Sequence, residues 1–411
     1  MSEGFDAVVS SDPPPPHYSC LPSHGEAIID HSPRLGSQIH TGTFLKHRGS
    51  ITVVLTEQED GIATPLYGRG AKIKGGILLE RPEDISHVKL KIEGKLEFMG
   101  SSSGARSIST ISPSVTLWDY DRTENATRST SLPFSLLLPL RFEDGGQSYP
   151  LPPSFHYYQS GIPGLLITSV YTLVVSVARA RRLLPDKVET LVLSSFSLRI
   201  LFTYFPRTRP ERPTLSIPLF SGIKSSPEEW TQTIVTVKTK LNTRVCPVQC
   251  NLFVPSVQTF AISDIIPFHV QLSGPLASLR KLLSTHPSSS GVQDLVNVSI
   301  SRQISVTVRG IRSCQTTKIG EGRIRSVPPY PTCCRYPYGD CISQDDHFDW
   351  EGEVKCKPDV TVGGFTAAGA SVKDYIVISL KPPPESPFLP AEGYIPSLLV
   401  TDTWANAPNT D

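Results

Sequence analysis

Gly100-Ser101-Ser102-Ser103-Gly104 carries the letters of a nucleophile elbow, GxSxG, in which a strand–turn–helix unit presents a serine for attack on an acyl carbon. Its flanks are a strand end and further serine, so no helix is at hand to present a hydroxyl, and the pattern reads as a loop. Gly68-Arg69-Gly70 followed by Gly75-Gly76 shares glycine and positive charge with phosphate-cradling loops. The spacing fits neither GxGxxG nor GxxxxGK[ST], and no helical period follows. That segment reads as a turn beside a hairpin, with Arg69, Lys72 and Lys74 as candidates for a local anion patch. Cys333, Cys334, Cys341 and Cys356 cluster with Cys314 upstream and His347 nearby. No pair has the two-residue spacing that lets two thiolates share a tetrahedral zinc from one turn, so they read as free thiols. HExxH, paired-carboxylate and Cys–His patterns do not stand out. The expectation is a protein that is not an enzyme, with no cofactor and no metal site.

One short pattern carries a binding mechanism. Pro15-Pro16-His17-Tyr18 is a PPxY sequence within a proline-rich stretch. Consecutive prolines hold the chain in polyproline II, so little ordering entropy remains to be lost on binding. An aromatic-lined WW groove accepts the proline ridge, and a second slot takes the tyrosine ring. Pro15, Pro16 and Tyr18 are therefore the candidate WW-binding residues. A lone motif binds weakly, so avidity has to come from another contact. Pro328-Pro329-Tyr330-Pro331 lacks tyrosine at the fourth position and does not count.

The elements around these patterns are strands. The chain has 411 residues, room for two or three domains, with 38 prolines and 2 methionines. An interior proline costs a helix about 3 kcal/mol, so this composition disfavours a helical bundle and suits edge strands and turns. The 39 basic and 38 acidic side chains leave a formal charge of +1, which excludes a global field steering the protein to nucleic acid. The start of the chain is acidic and proline-rich without an apolar signal core, and 8 cysteines lack scaffold spacing. Both point to a reducing, cytoplasmic setting. The apolar run from Ile162 to Ala178 is too short and too rich in Ser, Thr and Tyr for a membrane span of about 20 residues, and its β-branching reads as buried strand.

Residues 1–36 read as a disordered proline-rich tail. From 37 to 205 strands follow one another: Ile51 to Leu55, the alternating Val88, Leu90 and Ile92, Val115 and Leu117, Leu132 to Leu138, Thr168 to Ala178, and Phe196 to Phe202. Ser101 to Ser114 reads as a mobile serine-rich loop. Residues 206–213, with three prolines, form a stiff linker. The block 214–382 repeats the style, with strands at Ile234 to Val237, Pro247 to Val254, Ile266 to Leu272, Val296 to Arg302, Ile304 to Arg309 and Tyr375 to Leu380. Leu276 to Leu283 is its one helical turn. Residues 383–411 read as a second flexible tail. The fold class is all-β, two tandem antiparallel β-sandwiches with disordered ends.

Several of these segments, in their order, resemble the arrestin family. The likeness runs through Tyr67 to Leu79, Ile85 to Leu96, Leu132-Pro133-Phe134-Ser135 with Leu151-Pro152-Pro153-Ser154-Phe155, and Tyr171 to Val177. In the second block it is carried by Ile265 to Leu272. The resemblance implies arrestin-like N- and C-domains and, with the PPxY motif, the alpha-arrestin or arrestin-related trafficking adaptor type. Such proteins recruit WW-domain HECT ubiquitin ligases to the cytoplasmic tails of membrane transporters or receptors, which are then ubiquitinated and internalised. Recruitment of a cytoplasmic protein to the plasma membrane or endosomes follows from that role. The family usually carries its PPxY motifs in the C-terminal tail, whereas here the motif precedes the first block. The alternative is a retromer-subunit-like sorting scaffold of the same double sandwich, acting in vesicle trafficking without a ligase.

Overall fold

Alternation of apolar and polar side chains builds nearly every element. In the computed structural model, residues 41–119, 129–161, 164–182, 191–210, 223, 225–283, 295–327 and 346–404 are described. The strand Ile85–Gly100 shows the rule: Val88, Leu90, Ile92, Leu96 and Phe98 are buried, while Lys89, Lys95 and Met99 between them are exposed. It pairs antiparallel with Leu165–Arg182, which takes up the apolar run from Leu165 to Ala178 as strand, and that strand pairs with Leu191–Tyr204. These form the centre of a seven-stranded sheet. A four-stranded sheet in the order Gly42–Arg48, Ile51–Gln58, Lys72–Leu79, Ser131–Leu137 supplies the facing layer. Ile51, Val53, Ile73 and Ile77 from the smaller sheet share one apolar core with Leu90, Ile92, Leu173 and Val175 from the larger.

The second domain is a single ten-stranded sheet that curls until its ends stack. Trp230–Val237 begins the sheet and Ala391–Val400 lies near its other end. A Cβ placed on Gly393 would overlap the Val235 side chain, so the two strands face each other at close range. Val237, Cys250, Phe268, Ile300, Ile378 and Leu399 are among the side chains buried between the layers. The architecture is thus all-β, in two sandwich-like domains. Among the described residues, pairing is antiparallel except for two short parallel ladders, Leu66–Tyr67 on Leu191–Tyr204 and Thr259–Ala261 on Ala391–Val400. The α-helix Leu276–Leu283 lies where the sequence places it and seats Leu279 and Leu282 in the second core.

Two expectations are corrected. Ser101 to Ser114 is not a mobile loop: Gly104–Ile111 is a strand on the edge of the seven-stranded sheet, in register with Ile85–Gly100, and Ile108 and Ile111 are buried. Its serines occupy the solvent face, so low hydrophobicity reflects an edge position. Nor is the segment after 383 all tail. Ala391–Val400 pairs with Ala370–Leu380 and buries Ile395, Leu399 and Val400, an alternation masked by Gly393 and Ser397 on the buried face and by Tyr394 and Leu398 on the exposed one. Residues 1–36 lie outside the described residues.

Two strands cross from one core to the other. Val296–Val308 contributes Val296, Val298 and Ile300 to the second core, then Ile304, Val306 and Val308 to the first. Its neighbour Ala370–Leu380 does the same, with Ile376, Ile378 and Leu380 in the second core and Ala370 and Val372 in the first. The domains are therefore tied by continuous strands as well as by surface contact.

Candidate functional site

Pro15, Pro16 and Tyr18 lie outside the described residues. The other sequence patterns can be placed. Gly100 to Gly104 is the turn of an antiparallel hairpin, closed by Ser103 N–H donating to the Gly100 carbonyl at 3.1 Å, with Gly104 at φ +87°. A strand follows, where a nucleophile elbow needs a helix. Ser102 and Ser103 instead meet Ser313 of the second domain through hydroxyl contacts of 3.1 and 3.2 Å. Gly68 to Gly70 is a turn leading into Lys72–Leu79, again without a helix.

Cys314 and Cys356 are free thiols. Cys356 is paired in register with Gly320, six positions along the same strand from Cys314, which sets the two about 20 Å apart. Burial pushes the Cys356 thiol up to about 11 and that of Cys250 up to about 12, away from thiolate character. Among the described residues no group of three His, Cys, Asp or Glu side chains is placed to hold a metal ion. Cys333, Cys334 and Cys341 lie outside them. His347 is held at 3.5 Å by Asp349, which also accepts from His269 Nε2 at 2.9 Å and Gln271 Nε2 at 3.0 Å.

The most developed geometry is the seam between the domains. Phe155 meets Phe365 edge-on at 5.3 Å, and the Tyr157 hydroxyl lies 3.3 Å from Thr317 Oγ1. The segment following Leu191–Tyr204 is pinned to the C-terminal end of the last strand: Arg207 pairs with Asp402 at 3.1 Å, and Thr208 N–H donates to Thr401 Oγ1 at 2.8 Å. At the junction of the cores, Arg302 donates from Nε and Nη2 to the two Asp374 oxygens at 2.7 and 3.0 Å. Burial raises Asp374, opposed by the hydrogen bond and charge of Arg302.

A cavity of about 260 Å³ opens at this seam. The first domain contributes Leu140, Pro150 to Pro153 and Tyr204, and the second the segment from Val362 to Thr366. Arg69 and Arg141 line it as well, and no carboxylate does. Arg141 is anchored to the Ser148 hydroxyl and carbonyl at 2.9 and 2.7 Å. Arg69 is exposed and makes no hydrogen bond or ion pair with the described residues. Its charge reaches the Tyr204 phenol, which burial raises and Arg69 pulls back. Of the three cations in the glycine-flanked segment, Lys74 is committed to Glu57 at 2.7 Å, and Arg69 reaches the cavity. Sequence reasoning identified that cation but not the cavity, whose walls come from segments almost 300 residues apart (Arg69 and Phe365).

No family model matches the chain, and no curated protein matches it. Among the described residues, no helix is long and apolar enough to cross a membrane.

Proposed function

We propose that the protein is an arrestin-type adaptor that brings a WW-domain HECT ubiquitin ligase to the cytoplasmic tail of a membrane transporter or receptor, so that the cargo is ubiquitinated and internalised. The observation that carries this reading is Pro15-Pro16-His17-Tyr18 standing ahead of a double β-domain. The strands at Tyr67, Ile85, Leu132, Tyr171 and Ile265, whose sequences resemble arrestins, support it. Two domains tied by crossing strands offer a scaffold, and the proposed role asks for binding alone, without a catalytic group or cofactor. The protein would act from the cytoplasm, reaching the plasma membrane or endosomes through its cargo.

The decisive test is a pull-down of the full chain on a HECT-ligase WW-domain array, comparing wild type with Tyr18→Ala. Capture lost in the variant is the expected result. Capture that is equal in both, or absent in both, rejects ligase recruitment and leaves the sorting-scaffold alternative.

A further inference from the structure

The seam cavity has a charge and a shape that the ligase-recruitment role does not use. Two guanidinium groups line it without a carboxylate, and Asp402, beside the lining Thr401, is already engaged by Arg207 at 3.1 Å. Exposed guanidinium groups with no carboxylate among the lining residues favour an anion through charge-assisted hydrogen bonds. Pro152, Phe205 and Phe365 also line the cavity, groups that accept an apolar or aromatic side chain. At about 260 Å³ the space falls below the roughly 300–1,000 Å³ of small-molecule sites and takes about one or two side chains. Phe365 and Thr366 belong to the strand Phe365–Ala367, which pairs along one edge with Ala370–Leu380 and with no other strand among the described residues.

The geometry points to this cavity as a binding site for an acidic peptide segment of a partner protein, whose Glu or Asp carboxylate meets Arg69 while the adjoining apolar side chain fills the Pro152–Phe365 wall. The assignment is independent of the PPxY motif. It stands or falls separately from WW-domain capture, and loss of one leaves the other measurable in the same protein.

The test is fluorescence anisotropy of the full chain with a fluorescein-labelled short peptide in which Glu is followed by Phe, and with its Gln counterpart. The expected result is saturable binding of the Glu peptide that weakens with added salt, and about tenfold weaker binding of the Gln form. Arg69→Ala should cause a similar loss and Arg69→Lys should restore part of it. Arg69→Ala should leave the melting temperature unchanged, since the side chain is exposed and unbonded to the described residues. Failure of the Glu peptide to bind overturns the proposal, as do equal affinities for the Glu and Gln forms or an Arg69→Ala variant that binds like wild type. Displacement by phenylacetate at concentrations comparable to the peptide would also overturn it, in favour of a small aromatic acid.

Discussion

Arg302 and Asp374 sit directly opposite each other on neighbouring strands and join as a two-pronged ion pair where one apolar core ends and the other begins. Ile300 and Ile376 flank the pair on the side of the second core, and Ile304 and Val372 on the side of the first. Their side chains are 7% and 0% exposed. Both charges occupy the inward face of otherwise apolar strands, so each is satisfied chiefly by the other. A one-residue slip between Val296–Val308 and Ala370–Leu380 would separate them, and the pair thereby fixes the register that joins the domains.

Removing one partner leaves a buried charge uncompensated. Asp374→Ala is expected to cost about 3–5 kcal/mol, whereas Arg302→Met combined with Asp374→Leu should recover most of that loss. Urea unfolding of the three variants and wild type measures this directly. A double variant no more stable than Asp374→Ala would show that the loss does not come from an uncompensated buried charge.

In each domain an aromatic ring lies over a glycine of the adjacent strand: Phe268 opposite Gly352, and Tyr171 opposite Gly94. A Cβ on Gly352 would overlap the Phe268 ring and the Arg323 carbonyl. Gly352→Ala should therefore destabilise by about 1–3 kcal/mol through overpacking. Phe268 is fully buried, and Phe268→Ala should cost about 3–5 kcal/mol. Because the two sites share one space, the double variant should lose less than the sum of the singles in chemical denaturation.

The Tyr171 hydroxyl donates to the Pro152 carbonyl at 2.5 Å, tying the strand Leu165–Arg182 to the proline-rich wall of the seam cavity. Tyr171→Phe keeps the ring and leaves that carbonyl without this donor. A loss of about 1–3 kcal/mol is expected from thermal or urea unfolding.

Asp349 supplies a pH dependence with a definite sign. Burial alone would raise it, but hydrogen bonds from His269 and Gln271 and the charges of His269 and His347 hold it below the ordinary carboxylate value. A folded-state value below the unfolded one, about 3.9, stabilises fully above that pH and is lost as pH falls through the folded value. Wild type should thus lose melting temperature below about pH 4, and Asp349→Asn should melt lower at pH 7 with a shallower decline in acid. Scanning fluorimetry from pH 7 to pH 3 distinguishes the two curves.

Strands with one wet face were legible in the chain because side-chain alternation writes burial into sequence. Val88, Leu90 and Ile92 needed no partner to be placed, and the helix Leu276–Leu283 showed its own period. Strands whose identity comes from pairing were not legible. Ile311–Ser326 is largely polar and Asp346–Cys356 acidic; each is a strand because ladders on both sides satisfy its backbone. Val296–Val308 reads as two strands, Val296 to Arg302 and Ile304 to Arg309, yet it is one, and the inward charge of Arg302 is met by Asp374 on the neighbouring strand. The PPxY motif is local chemistry, complete in four residues, so composition alone exposes it. The seam cavity is the opposite case, since Arg69, Pro152 and Phe365 acquire a common function only when two domains close on one another. Local periodicity determined the fold class; long-range pairing decided where one core gives way to the next and which cation meets an apolar wall.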